Sequence, residues 1–166
     1  MKPPGHEQDM QVIAAVITVS STRTAAEDRS GQVIRDLLAS AGIQTGHYTI
    51  VPDSQEAIRR EVFLAMDTCN CIILSGGTGL THDDCTIEAI APFLDKKIEG
   101  FGELFRAMSM KEVGTSALLS RAVAGVTHGK AVFCIPGSTG AVTLATRDLI
   151  IPEVRHILTH ANKSKR

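Results

Sequence analysis

Residues 11–19 (QVIAAVITV) form a mostly continuous apolar run, rich in β-branched side chains and without the polar alternation of a half-exposed strand. A run of that length and character is expected of a strand covered on both faces, the strand type of parallel sheets packed between helices. The pattern recurs. Residues 46–51, closed by Pro52, read as a second strand, 71–74 (CIIL) as a third and 131–135 (AVFCI) as a fourth.

Helical spacing fills the intervals. Ser30 is placed to cap a helix whose apolar positions Val33, Ile34, Leu37, Leu38 and Ala41 follow the 3.6 period, and Gly42 is placed to end it. Ser54 is placed to cap the next, which carries Ile58, Val62, Leu64 and Ala65. Helical stretches are expected near 86–94, 102–110 and 116–124, and again after Pro136-Gly137 through Leu144, Leu149 and Ile150. Pro152 is expected to end or kink that last helix before 154–160 resumes it. Strands alternating with helices imply an α/β fold: a three-layer sandwich with a mostly parallel central sheet and helices on both faces. The expected organisation is a disordered N-terminal tail over 1–10, a single α/β domain over 11–160 and a basic C-terminal tail over 161–166.

The chain has 166 residues, enough for one domain that buries about 68–70% of its unfolded surface without a metal or disulfide staple. Lys and Arg number 17 against 18 Asp and Glu, so no basic footprint for general nucleic-acid binding exists. No apolar run approaches the ~20 residues of a membrane span, and the N-terminus has no signal pattern, so a cytoplasmic protein is expected. The four cysteines lack zinc-knuckle spacing. Cys71 and Cys134 lie inside apolar runs, so reduced structural thiols are expected.

Ligands of open parallel sheets bind outside the carboxyl ends of the strands. There the sequence places Ser20, Ser21, Thr22 and Arg23, then Asp53 and Ser54, then 75–84 (SGGTGLTHDD), then 136–140 (PGSTG). Ser75-Gly76-Gly77-Thr78-Gly79 is the strongest single feature. Three glycines in four residues permit positive φ and bring backbone N–H groups near a ligand, and a helix opening at Thr86 would favour phosphate there. The structural alternative is a tight strand-to-helix turn. Asp53 and the Asp83-Asp84 pair could converge on one cation, the usual way of holding Mg²⁺ beside substrate phosphates. Taken singly, Asp53 reads more readily as a residue of a Pro-Asp-Ser turn and Asp84 as a helix cap; their common edge is what favours a shared site. His82 could touch phosphate or stand in solvent, Glu103 and Arg106 read as a helix ion pair, and Arg121 is ambiguous. His156 and His160 lack a third metal ligand. Residues 77–82 break the dinucleotide fingerprint at His82, and 125–130 (GVTHGK) is too short for a P-loop and leads into a strand.

Ser75–Gly79 followed by Asp84-Cys85-Thr86-Ile87-Glu88-Ala89 resembles the MoaB/Mog family of molybdenum cofactor biosynthesis. So do 100–106 (GFGELFR), 114–116 (GTS) with 120–122 (SRA), and Pro136-Gly137-Ser138. The resemblance spans about 12–158. It implies a molybdopterin-binding domain forming a homotrimer or dimer of trimers. It also implies transfer of AMP from Mg-ATP to the terminal phosphate of molybdopterin, with release of pyrophosphate. Asp53 and Asp84 match the family's functional aspartates, the implied catalytic pair and magnesium ligands. The implied substrate-binding residues are Ser75, Gly76, Gly77, Thr78, Gly79, Thr86, Pro136, Gly137 and Ser138. The chain departs from the pattern at Asp83, where a basic residue is common, and at Ile87, where proline is common. The alternative is a non-catalytic paralogue that holds pterin or nucleotide for delivery or regulation.

Overall fold

The computed structural model describes residues 10–163. In chain order its main elements are β1 (Ile13–Val19), α1 (Arg29–Ser40), β2 (Gln44–Val51), α2 (Gln55–Ala65), β3 (Cys71–Ser75) and α3 (Thr86–Ile90). Then follow β4 (Lys96–Lys97), α4 (Glu99–Val113), β5 (Val123–Thr127), β6 (Lys130–Ile135), α5 (Thr139–Ala145) and α6 (Ile151–Ala161). The strands form a six-stranded sheet in the order β2-β1-β3-β6-β5-β4. β2, β1, β3 and β6 run parallel, while β5 and β4 add antiparallel pairings at one edge.

The continuous apolar runs are buried on both faces, as their composition requires. Ala14, Val16, Ile73 and Phe133 face one core with Ile34 and Leu38 of α1, Phe101 and Phe105 of α4, Val142 of α5, and Val154 and Leu158 of α6. Their neighbours Ala15, Ile17, Ile72, Leu74 and Cys134 face a second core with Ile58 and Val62 of α2 and Ala89 and Ile90 of α3. The period-2 alternation of the strands thus feeds two helical layers.

Several sequence expectations are corrected. Residues 116–124 are not a helix: a 3₁₀ segment covers Gly114–Leu119, and β5 begins at Val123. β5 and β6 are joined through His128 (φ 50°) and Gly129 (φ 72°), the paired positive φ of a tight hairpin turn. Residues 125–130 lead into β6, as their sequence indicated, and Gly125 has a packing role. A Cβ there would lie 2.5 Å from the Lys96 carbonyl, so glycine is what lets β4 pair with β5. The expected helix over 86–94 is five residues of α3 followed by a 3₁₀ turn, Ala91–Phe93.

The cap of α1 is Asp28, which accepts from Gly31 N, whereas Ser30 Oγ donates to the Gly137 carbonyl 2.6 Å away. Pro152 does not end the last helix; it stands in the first turn of α6. A π-helical turn, Thr146–Ile150, widens the chain between α5 and α6 where proline can donate no hydrogen bond. Among the tail residues, Met10 packs on the core and Ala161 still belongs to α6; 1–9 and 164–166 lie outside the described residues. Among the described residues, no helix is long and apolar enough to cross a membrane.

Candidate functional site

A cleft of about 530 Å³ opens at the carboxyl ends of the parallel strands. It takes Ser20 to Arg23 from the β1 exit, Asp53 from the β2 exit, Gly76 to Gly79 with Asp83 and Asp84 after β3, and Pro136 and Gly137 after β6. The chain runs from β1 outward to β2 and then crosses back to β3 on β1's other side. The β1 and β3 exits therefore part at the point where such folds bind ligands. Leu119, Ser120 and Arg121 add a wall from the segment before β5.

The glycine loop is held by its carbonyls. Thr86 Oγ1 donates to Gly76 O (2.8 Å) and Thr86 N to Gly77 O (2.9 Å). Arg121 donates from Nε to Thr78 O (2.8 Å) and from Nη2 to Gly79 O (2.9 Å). Four successive carbonyls are thus tied to protein donors. Gly76 N donates to Ile135 O, but the N–H groups of Gly77, Thr78 and Gly79 meet no protein acceptor among the described residues. Such a run of free donors makes an anion-binding concavity. Glycine is required where the loop presses on β1: Gly76 has φ 94°, and a Cβ there would sit 2.5 Å from Val19 O. At Gly77 (φ 67°) a Cβ would strike Thr86 Oγ1. α3, five residues long, is too short to contribute the dipole expected of it, which leaves the loop's own N–H groups as the donors open to an anion.

Two carboxylates flank this loop. Asp53 Oδ2 accepts from Ser21 N (3.1 Å) and Ser21 Oγ (2.8 Å), and its Oδ1 would lie 3.4 Å from a Cβ on Gly77. Asp84 Oδ2 accepts from Thr81 N (3.0 Å) and Thr81 Oγ1 (2.8 Å) and stands 2.6 Å from the Cβ position of Gly79. Asp84 is not the helix cap; Cys85 takes that position without a side-chain bond. In both aspartates the protein bonds fall on Oδ2, and Oδ1 carries none among the described residues. No group of three or more His, Cys, Asp or Glu side chains that could hold a metal exists among the described residues. Two open carboxylate oxygens without a third protein ligand match a Mg²⁺ completed by phosphate oxygens and water better than an all-protein metal centre.

The remaining candidates divide by burial. Gly76, Gly77, Thr78, Gly79, Pro136 and Gly137 line the cleft. Ser75 and Thr86 are fully buried beneath it; Thr86 closes the loop, and Ser75 Oγ has no hydrogen-bond partner among the described residues. Ser138 is outside the cleft wall and caps α5, accepting from Ala141 N. Their contribution is to the backbone that carries the site. Asp83 is exposed and lines the cleft. His82 is exposed beside it. Arg106 donates to Ser120 O (3.4 Å) from α4.

Sequence reasoning named Arg23 at the β1 exit and left Arg121 ambiguous, and it gave neither a role toward a ligand; both line the cleft. Arg121 gave no local signal because its partners lie 42 and 43 residues away in sequence. It also pairs with Glu88 Oε1 at 2.7 Å. Beneath Arg23, Asp28 is buried and accepts from Thr18 Oγ1 and Tyr48 OH (2.6 Å each) and from Gly31 N (3.0 Å). Burial alone would raise its pKa, but these hydrogen bonds and the Arg23 charge outweigh it and hold the carboxyl below its ordinary value. Burial, then the Asp28 bond, pushes the Tyr48 hydroxyl to about 12. Around Cys85, burial and then the charges of Asp53, Glu88, Asp84 and Asp83 raise the thiol, a sign of the cleft's negative field.

Comparison with known proteins identifies the family and its fold. Residues 15–156 match the family described as "Probable molybdopterin binding domain". The molybdenum cofactor biosynthesis protein B of Staphylococcus aureus (strain Mu50) is 51% identical over 157 residues, 92% of this chain and 93% of that protein. A crystal structure of a molybdenum cofactor biosynthesis protein B superposes with a TM-score of 0.90 at 42% identity, covering 95% of this chain and all of the other. The tungsten cofactor synthesizing protein MoaB of Pyrococcus furiosus superposes with a TM-score of 0.84 at 38% identity, over 92% of this chain and 98% of that one.

Proposed function

The chain belongs to the MoaB/Mog family of molybdenum cofactor biosynthesis, and from that membership we propose that it transfers AMP from Mg-ATP to the terminal phosphate of molybdopterin. The observation that carries the reading is the loop whose N–H groups at Gly77, Thr78 and Gly79 bond no acceptor among the described residues, flanked by the Oδ1 atoms of Asp53 and Asp84, open in the same sense. A phosphate settles on donors whose carbonyls are already tied back, so binding needs little reorganisation. A terminal phosphate oxygen of the pterin attacks the α-phosphorus of ATP; the new P–O bond forms as the bond to pyrophosphate breaks. Mg²⁺, when bound, neutralises phosphate charge during that exchange. Asp53 and Asp84 would hold it, each oriented by bonds to its other oxygen. Asp83, a third carboxylate on the wall, favours the alternative of a pterin- or nucleotide-binding paralogue without turnover.

Leu104, Met110, Val113, Leu118 and Leu119 are exposed along α4 and the turn after it, more apolar surface than a monomer ordinarily leaves open. This surface supports a homo-oligomer, and the family membership is the ground for making it a trimer or dimer of trimers. Phe101 and Phe105 of the same helix are core residues and take no part in that surface. Dependence on ATP and pterin is consistent with a cytoplasmic protein.

The testing experiment incubates the protein with molybdopterin, ATP and Mg²⁺ and follows pyrophosphate release and the adenylylated pterin together. Both products are expected, in equal amounts. Pterin and nucleotide binding without either product establishes the binding paralogue instead.

A further inference from the structure

Two guanidinium groups line the cleft, Arg23 and Arg121, against three carboxylates, Asp53, Asp83 and Asp84. Their situations differ. Arg121 is committed to two loop carbonyls and to Glu88 at 2.7 Å. Arg23 has one long contact, Nη1 to Asp28 Oδ1 at 3.5 Å. Asp28 in turn is occupied by closer donors: Thr18, Tyr48 and Gly31 hold its two oxygens at 2.6 to 3.0 Å. The buried carboxylate orients Arg23 without neutralising it by a short ion pair. Ser20 Oγ accepts from Thr22 N and Arg23 N (3.4 and 3.1 Å), which folds the β1 exit so that Arg23 lies at the cleft wall. Arg23 also borders a neighbouring depression of about 610 Å³ beside Tyr48, Ile50 and Pro52, so it stands where the cleft continues outward.

We propose that Arg23 is the cation that binds the β- and γ-phosphates of the nucleotide, the pyrophosphate portion that leaves, with Asp28 as its positioning residue. The assignment rests on the adenylyl-transfer reading above. A triphosphate brings several negative charges into a cleft that already holds three carboxylates. Among the described residues, Arg23 is the cleft cation that no short ion pair satisfies. A guanidinium fork matches two phosphate oxygens at once, which a point charge does not.

The test measures binding of ATP, AMP and inorganic pyrophosphate, each with Mg²⁺, by calorimetry on the full chain and on the Arg23→Gln and Arg23→Lys variants. Urea midpoints check that each variant is folded. Arg23→Gln is expected to weaken ATP and pyrophosphate ~10-fold or more while leaving AMP, which lacks the β- and γ-phosphates, unchanged. Arg23→Lys should fall between, having the charge without the fork. Wild-type affinity for ATP and pyrophosphate in Arg23→Gln overturns the assignment, and so does an equal loss for AMP, which marks a merely structural role. If Arg23→Gln does not fold, wild-type pyrophosphate affinity in Arg23→Lys, or a loss there shared equally by AMP, overturns it in the same way. If the wild-type chain binds neither ATP nor pyrophosphate, both this assignment and the adenylyl-transfer reading fall; if it binds both and transfers AMP while Arg23 variants behave as wild type, only the Arg23 assignment does.

Discussion

Ser21 and Asp53 hold each other across the β1 and β2 exits: Ser21 N and Oγ donate to Asp53 Oδ2 at 3.1 and 2.8 Å, and Ser21 Oγ accepts from Asp53 N at 3.0 Å. A single hydroxyl therefore fixes both the backbone and the carboxylate of the implied metal ligand. The pair lies at the surface, so its value is in geometry rather than stability.

Ser21→Ala should lower adenylyl transfer ~10-fold while costing no more than about 1 kcal/mol of stability, the range of one exposed hydrogen bond. Steady-state kinetics beside urea denaturation would show the split. Unchanged kcat/KM would mean that Asp53 needs no such orientation.

Gly79 is not at positive φ, yet a Cβ there would approach Asp84 Oδ2 to 2.6 Å. Gly79→Ala is expected to displace the carboxylate and reduce transfer ~10-fold or more, with little change in melting temperature. Gly77→Ala should be worse in both respects, since φ 67° and the contact with Thr86 Oγ1 add backbone strain and a steric clash. A Gly79→Ala protein with wild-type turnover would show that Asp84 can move without consequence.

Asp28 makes stability depend on acid in a stated direction. Its native pKa is below the ordinary 3.8, so its ionised form stabilises the fold fully above that value and the contribution is lost as pH falls through the native pKa. Asp28→Asn should cost about 1–3 kcal/mol near neutrality, because the amide cannot accept all three donors. The gap from wild type should narrow as pH drops below 3.8. Urea titrations at several pH values measure it; a gap independent of pH would mean that the carboxylate's charge is not what stabilises.

The four cysteines should divide by burial. Cys71 and Cys134 are fully buried with thiols pushed to about 12, and Cys69 is buried too. Cys85 is half-buried among carboxylates that also raise its thiol. An aromatic disulfide reagent at pH 8 should label Cys85 slowly and the other three only after unfolding. Rapid native labelling at Cys71 or Cys134 would contradict the packing.

The sheet was legible because burial on both faces leaves a compositional trace: the runs at 11–19, 71–74 and 131–135 are continuous and β-branched. The antiparallel edge was not. β4 is two residues long, and β5 (VAGVT) carries a central glycine whose reason, the close approach of Lys96 and Leu94, exists only in three dimensions. The same distinction holds in the site. Glycine density and strand-end aspartates announce themselves locally, whereas Arg121 and Asp28 act through partners brought near by folding. Ser75, Thr86 and Ser138 share the site's motifs but are occupied in supporting its loops or buried beneath them.

The most direct test of the central claim is the rate of AMP transfer to molybdopterin by Asp84→Asn compared with wild type. Asparagine keeps the size of the side chain and can still accept from Thr81, and Asp84 caps no helix, so folding should be unaffected. Transfer is expected to fall ~10²-fold or more, roughly 2.7 kcal/mol of transition-state stabilisation, with pterin binding retained. Near-normal transfer by a folded Asp84→Asn protein would contradict the claim that Asp84 and Asp53 together hold the metal at the reacting phosphate.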